Sequence, residues 1–206
     1  MEPPASEPGA SVPRRRVRTP LVVRNLGRVL TGRPLRRKPD PSGTALCRAR
    51  LAPYCRGYGL DLGFGGDPIA DHAIRMDMPS PYTAVGRESV QLGGDASDLR
   101  WFRDGVLDFI YSSHLLEDFP DTRAVLQEWL RVLKPGGRLI LYCPDERRYR
   151  EYCVRTGATY NTHHQQASFS LDTVRRILRD LGQDRVVHEN PDVDTYSWEL
   201  VLEKSA

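Results

Sequence analysis

Long apolar runs are the first thing that this 206-residue sequence lacks. No stretch approaches the roughly 20 consecutive apolar residues that a membrane-spanning helix needs. The first residues also lack the apolar core of a secretory signal. Together these absences predict a soluble protein without a transmembrane segment, located in the cytoplasm.

Cysteine is also scarce, and its spacing excludes two kinds of site. None of the four cysteines forms a Cys-x-x-Cys pair, the spacing that would indicate a zinc site or a redox-active dithiol. They are Cys47, Cys55, Cys143 and Cys153. We therefore expect reduced thiols in a reducing compartment, and no metal site.

Charge is distributed unevenly along the chain. Residues 1–50 hold 12 Arg or Lys against 3 Asp or Glu, whereas the remaining residues hold 18 against 24. A mildly acidic main domain argues against a nucleic-acid groove, so no stable nucleic-acid partner is expected. The basic segment itself remains open to contact with an acidic partner or an anionic membrane surface.

The composition changes near residue 43. Residues 1–43 form a basic, Pro- and Arg-rich leader that carries few apolar side chains and is predicted to be largely disordered. A short helix at residues 20–31 is the exception, because its apolar residues fall on one face. Residues 44–206 are predicted to form a single domain.

Seven apolar segments predict strands, at residues 58–62, 73–76, 89–92, 106–111, 138–143, 185–189 and 195–203. Helical spacing predicts helices over residues 46–54, from a cap at Asp121 to Leu133, and from Ser170 to Leu181. This alternation indicates an α/β fold with a mostly parallel sheet and helices on both faces. Only a turn around residues 190–192 separates the last two strands, so they should form an antiparallel hairpin.

A glycine-rich loop follows the first predicted strand. Its residues, Asp61-Leu62-Gly63-Phe64-Gly65-Gly66, stand at the strand end where open α/β sheets bind ligands. Glycine lets the backbone turn tightly and approach a ligand closely. The loop suits a dinucleotide as well as adenosylmethionine, and the Asp61 carboxylate favours a ligand with cationic groups. A purely structural turn is the remaining alternative.

Four segments, in this order, resemble class I S-adenosylmethionine-dependent methyltransferases, in particular the group with the type 11 methyltransferase domain. They are residues 59–66, 94–96 (Gly-Asp-Ala), 111–118 (Tyr-Ser-Ser-His-Leu-Leu-Glu-Asp) and 128–137 (Glu-Trp-Leu-Arg-Val-Leu-Lys-Pro-Gly-Gly). The resemblance covers roughly residues 45–203. It implies a Rossmann-like, mostly parallel seven-stranded sheet with a C-terminal antiparallel hairpin. It also implies S-adenosyl-L-methionine as cofactor and methyl transfer to a small-molecule acceptor.

The resemblance also implies which residues bind the cofactor. The methionine part would lie against the glycine loop, at Asp61, Gly63, Gly65 and Gly66. Asp77, at the end of the second strand, would bind the ribose hydroxyls, because one carboxylate can accept from both of them. A solvated strand end is the alternative for Asp77. Asp95 and Ala96 would contact the adenine, and Ser112 would lie near the transferred methyl group.

His114 is the candidate general base, because a neutral imidazole titrates near working pH. A structural, hydrogen-bonded histidine is the alternative. For His163 and His164, which lie in a polar loop, solvation is favoured over lining the mouth of the substrate site. The Arg and Tyr residues of positions 147–152 indicate an ordinary charged helix face, with recognition of an acidic or sugar-containing acceptor as the alternative.

Two departures from the family pattern keep a second function open. Residues 66–73 leave hardly any room for the usual helix, and the family's Leu-Glu-His is Leu116-Glu117-Asp118 here. Both favour a catalytically silent, methyltransferase-like binding module as the alternative. A nicotinamide-dependent oxidoreductase is disfavoured, because Pro68 breaks the Gly-x-Gly-x-x-Gly pattern. A DNA amino-methyltransferase is disfavoured because residues 112–114 stand where such enzymes carry an Asn-Pro-Pro-Tyr-like tetrad.

Overall fold

The computed structural model describes residues 41–79 and 88–206. The predicted leader lies outside the described residues as far as position 40, and so does the short helix expected at residues 20–31. Its contact with an acidic partner or membrane stays a prediction. Within the described ranges, no helix is both long and apolar enough to cross a bilayer.

The described ranges contain seven strands and four α-helices. The strands are β1 (Gly59–Leu62), β2 (Ile74–Asp77), β3 (Leu92–Gly93), β4 (Leu107–Ser113), β5 (Leu133–Pro144), β6 (Val186–Val193) and β7 (Ser197–Glu203). The α-helices are α1 (Gly43–Leu51), α2 (Thr122–Val132), α3 (Glu146–Thr156) and α4 (Leu171–Asp180). Single 3₁₀ turns cover Ala52–Tyr54 and Leu116–Asp118.

One sheet contains all seven strands, in the order β3-β2-β1-β4-β5-β7-β6. The first five strands in this spatial order, β3, β2, β1, β4 and β5, pair in parallel. Strand β7 pairs antiparallel with both β5 and β6. Parallel strands need crossover connections, whereas the last two are joined by a tight turn. The predicted α/β fold with a C-terminal antiparallel hairpin is therefore confirmed.

Helices pack on both faces of this sheet. Ile110 and Leu141 belong to the core cluster that includes α2 and α4 on one face. Phe109 and Tyr111, which alternate with Ile110 along β4, belong to the cluster that includes α1 on the other face. Strands buried on both sides become nearly continuous apolar runs, and this is the pattern that predicted them.

The hairpin turn predicted at residues 190–192 is wrong. Those residues continue β6, and the chain turns at residues 194–196, where Asp194 and Thr195 have φ of 47° and 81°. Pro191 is tolerated in the strand because β6 is an edge strand whose register shifts between Asn190 and Val193. Proline in the sequence was thus a poor guide to where the chain reverses.

One smaller prediction also differs from the structure. Of the strand predicted at 89–92, only Leu92 pairs, together with Gly93. In the first helix Cys47 is fully buried, whereas Leu46 is 39% exposed. Residues 134–137 lie within β5, where Gly136 has a φ of 77°.

All four cysteines are buried free thiols. Burial raises the pKa of the Cys47 and Cys55 thiols to about 12, so both stay protonated at neutral pH. Within the described ranges, no group of three or more His, Cys, Asp or Glu side chains could hold a metal ion.

Candidate functional site

A cavity of about 320 Å³ lies at the carboxyl ends of β1, β2 and β3. Its size falls at the lower end of the range for small-molecule sites, roughly 300–1,000 Å³. Its walls are Gly63, Asp77, Met78, Gly94, Asp95, Ala96, Leu115, Asp118, Phe119, His163 and Gln165. A hollow of about 420 Å³ beside Lys134 and Arg138 lies at the opposite, amino ends of the strands. The first cavity is the candidate site because the glycine loop borders it.

The glycine loop has the backbone geometry that only glycine adopts easily. Gly63, Gly65 and Gly66 have φ of 66°, 57° and 82°. The N–H of Gly63 donates to the Met76 carbonyl at 2.9 Å, which ties the loop to β2. A Cβ at Gly63 would lie 2.8 Å from the Leu115 side chain. A larger residue at this position would therefore close the cavity.

Asp77 is held on the cavity wall by two backbone hydrogen bonds. Its Oδ2 accepts from the Gly65 N–H at 3.1 Å, and its Oδ1 accepts from the Met78 N–H at 2.8 Å. Each oxygen keeps lone-pair capacity, since an ionised carboxylate has about four acceptor sites. The carboxylate is thus fixed in place and still able to accept from a pair of ribose hydroxyls.

The loop after β3 forms the opposite wall. Asp95 Oδ1 accepts from the Ser97 N–H at 2.8 Å and from the Ser97 hydroxyl at 2.7 Å. The Ala96 carbonyl accepts from the Trp129 indole N–H at 2.7 Å, which anchors this loop on α2. Apolar side chains, Met78, Leu115 and Phe119, complete the wall. A flat, partly apolar base such as adenine fits these residues.

Two predicted cofactor residues lie behind the cavity rather than on its wall. Asp61 is 1% exposed, and its Oδ2 accepts from the Ile69 N–H at 2.7 Å. Burial raises the pKa of this carboxyl to about 8. Ser112 is fully buried, and its hydroxyl donates to the Leu62 carbonyl at 3.3 Å. Both support the strand ends, and direct cofactor contact by either one stays a prediction.

The buried Asp61 predicts a pH dependence of stability. Its folded pKa of about 8 lies above the ordinary 3.8, so between these values the folded state holds a proton that the unfolded state lacks. Stability should therefore fall as pH rises through this interval. Asp61→Asn cannot titrate and still accepts from Ile69. In urea unfolding between pH 5 and 8, the variant should gain stability relative to wild type as pH rises. Parallel profiles would refute this assignment.

His114 follows β4 outside the cofactor cavity. Its φ of 50° is unusual for a non-glycine residue, and such strain is typical of functional positions. Its Nε2 lies 3.3 Å from the Ser197 hydroxyl, and its ring meets Tyr142 and Tyr196 edge-on. Burial, with a smaller contribution from His164, lowers the pKa of His114 to about 4, although 28% of the side chain stays exposed.

The two loop histidines have different environments. His163 is exposed at the edge of the cavity, as the solvated interpretation predicts, and a role at the substrate mouth stays a prediction. The solvated interpretation is wrong for His164, whose side chain is 4% exposed and whose Nδ1 lies 2.7 Å from Glu146 Oε2. On α3, Arg147, Arg148 and Arg150 each pair with an acidic side chain, which supports the interpretation as a charged helix face.

The structure thus brings Gly63, Asp77, Asp95 and Ala96 to one cavity, with Gly65 bonded to Asp77 beside it. The sequence had not suggested the apolar wall or Gln165. Leu115 stood inside the segment that carried the family resemblance, so its position was the one available indication. Gln165 lies in a loop with no pattern of its own. Its backbone N–H donates to the Glu117 carbonyl, and its side-chain amide donates to the His163 carbonyl.

Residues 42–141 match the sequence model of a family described as "Methyltransferase domain". A demethylmenaquinone methyltransferase of Mycolicibacterium paratuberculosis is 29% identical over 130 residues, 62% of this chain and 49% of that protein. One of Listeria monocytogenes is 35% identical over 77 residues, 33% of this chain and 32% of that protein. The matches thus span about half, or less, of these curated relatives' length.

Solved structures share the fold at low sequence identity. A SAM-dependent methyltransferase from Thermotoga maritima has a TM-score of 0.57 at 20% identity, covering 80% of this chain and 88% of its own. A methyltransferase solved with the Trm112 activator of Haloferax volcanii has a TM-score of 0.55 at 20% identity, covering 78% and 88%. At these identities the likeness establishes the fold alone.

Proposed function

We propose that this chain, whose residues 42–141 match the methyltransferase-domain model, is a class I S-adenosylmethionine-dependent methyltransferase that methylates a small-molecule acceptor. The observation that carries the proposal is the cavity at the carboxyl ends of β1–β3, where the fixed Asp77 carboxylate stands beside the glycine loop. We also propose that residues 44–206 suffice as the catalytic domain and that the protein works in the cytoplasm.

The bound cofactor supplies a methyl group that its sulfonium already activates. The chain's residues bind and orient this donor. Asp77 would accept from the ribose hydroxyls, Asp95 and Ala96 would border the adenine, and the glycine loop would leave room for the methionine part. The protein's further contribution is to hold donor and acceptor in line and to receive a proton.

His114 is the proposed general base. Its lowered pKa keeps the imidazole neutral at pH 7, so one ring nitrogen has a lone pair for the acceptor's proton. The half-buried Tyr196 ring beside it supports an aromatic acceptor. The curated relatives are named for demethylmenaquinone, which makes quinol rings the first acceptor class to assay.

A binding module without turnover is the second candidate. The observation that favours it is the stretch between Gly66 and β2, which contains no helix. In such a protein the cofactor would bind to the same cavity. The two candidates therefore differ in turnover and not in cofactor affinity.

Calorimetry with S-adenosylhomocysteine tests the cofactor assignment. We expect micromolar binding to the full chain and no measurable heat with NADH, because no full dinucleotide-binding glycine pattern is present. The absence of S-adenosylhomocysteine binding would overturn the proposal. Methyl transfer to phenols and quinols, followed by mass spectrometry, then separates the candidates. Binding with no turnover across that panel would favour the binding module.

A further inference from the structure

Behind His114 lies a buried group of acids and histidines that the cofactor cavity does not use. Glu117 Oε1 lies 3.5 Å from His114 Nδ1 and 3.8 Å from His164 Nε2. On the far side of His164, Nδ1 lies 2.7 Å from Glu146 Oε2. These four side chains therefore form a row of neighbours from α3 to the proposed base, in the order Glu146, His164, Glu117 and His114.

Glu117 is the unusual member of this group. It is 1% exposed, and neither carboxyl oxygen has a hydrogen-bond partner among the described residues. Burial raises its pKa well above the ordinary value, and the nearby acids Asp118 and Glu146 raise it further. The Cys143 thiol also faces it from β5 and opposes this shift. Burial thus outweighs the opposing hydrogen bonds and favours the neutral carboxylic acid at Glu117.

Glu146 has the opposite state. Burial raises its pKa, but hydrogen bonds from Tyr160, Arg150 and His164 outweigh burial and lower the pKa overall. A carboxylate accepts only, so the His164 nitrogen that faces it, Nδ1, must carry a hydrogen. The other ring nitrogen, Nε2, is the atom that faces Glu117.

We propose that Glu117 is a positioning residue that sets the tautomer of His114. The buried Glu117 carboxyl accepts the N–H of His114 Nδ1 and also faces His164 Nε2. That leaves a lone pair on His114 Nε2, the nitrogen that lies 3.3 Å from the Ser197 hydroxyl. The distances from Glu117 Oε1 to His114 Nδ1 and to His164 Nε2 are longer than an ordinary hydrogen bond. Catalytic hydrogen bonds are often this long before substrate binds.

This inference rests on the proposed function in one respect, namely that His114 receives the acceptor's proton. In the other tautomer of His114, Nε2 would carry a hydrogen at the position where a lone pair is needed. The inference also gives a physical reason for the glutamate of Leu116-Glu117-Asp118, which the sequence did not explain. The tautomer itself is observable without cofactor or acceptor.

Nitrogen-15 NMR of the histidine side chains at neutral pH tests the proposal. In the wild-type full chain, His114 is expected in a single tautomer, protonated at Nδ1. Glu117→Gln should keep that tautomer, because its amide oxygen can accept from Nδ1–H. Glu117→Leu, which cannot accept, should lose it. Glu151→Gln, on the exposed face of α3, is the matched control and should change nothing.

A wild-type His114 protonated at Nε2, or a tautomer unchanged in Glu117→Leu, would overturn the proposal. If Glu117→Leu does not fold, infrared difference spectra of wild type against Glu117→Gln decide the matter. A protonated-carboxyl band at neutral pH, absent from Glu117→Gln, is expected, and its absence from wild type would refute a neutral Glu117. Failure of either measurement is distinct from failure of the methyltransferase proposal, which S-adenosylhomocysteine calorimetry tests separately.

Discussion

Replacing Asp77 by alanine is expected to weaken S-adenosylhomocysteine binding by roughly 100-fold or more, because two hydrogen bonds to a charged group contribute about 1.5 kcal/mol each. In the proposed complex, both ribose hydroxyls donate to this one carboxylate. The variant also removes the acceptor of the Gly65 and Met78 N–H groups, which adds loop reorganisation to the loss. Calorimetry of the variant against wild type measures the effect.

The matched control is Asp180→Ala. Asp180 ends α4, its side chain is 59% exposed, and it pairs with Arg123 at 3.7 Å, so affinity should be unchanged. Thermal unfolding of both variants shows whether Asp77→Ala is still folded. Equal dissociation constants for wild type and a folded Asp77→Ala would remove Asp77 from the cofactor site. Equal constants would favour the alternative interpretation, in which Asp77 is a solvent-exposed residue at the end of the strand.

The second large effect is expected at Trp129, where alanine should destabilise the fold by about 3–5 kcal/mol. Trp129 is fully buried on α2, belongs to the larger core cluster and meets the Phe119 ring edge-on. Its indole N–H also donates to the Ala96 carbonyl at 2.7 Å, so truncation releases the wall of the cofactor cavity. A loss of this size is a large fraction of the 5–15 kcal/mol that stabilises a typical domain.

Trp101→Ala provides the control, because this tryptophan is 77% exposed and should change stability by less than about 0.5 kcal/mol. Urea unfolding of the two variants gives both free energies. Trp129→Phe separates packing from the hydrogen bond, since it keeps a ring but leaves the Ala96 carbonyl without its donor. Similar small effects at positions 101 and 129 would contradict the core assignment.

Much of the fold could be predicted because its determinants are local. The buried parallel strands are continuous apolar runs, and α2 and α4 carry apolar residues at helical spacing. The acids Asp77 and Asp95 follow strands, and parallel strand ends meet at one edge of the sheet. Their meeting in one cavity therefore required only that β2 and β3 be neighbours in the sheet, as the structure shows.

Other local sequence patterns led to wrong or incomplete predictions. Pro191 suggested a turn, yet an edge strand tolerates proline, so the chain reverses three residues later. In the first helix, helical spacing alone did not distinguish the exposed Leu46 from the buried Cys47. In both cases the pairing or packing partner, and not the residue's own propensity, made the difference.

The sequence by itself determined the α/β class, the closing hairpin, the glycine loop and the acid at the end of β2, because periodicity and strand-end position are properties of neighbouring residues. Only the tertiary structure decided that Asp61 lies beneath the loop and that His164 is buried between Glu117 and Glu146. The two His164 contacts join residues 18 and 47 positions apart in the chain. Burial and protonation depend on such distant neighbours, and no local pattern encodes them.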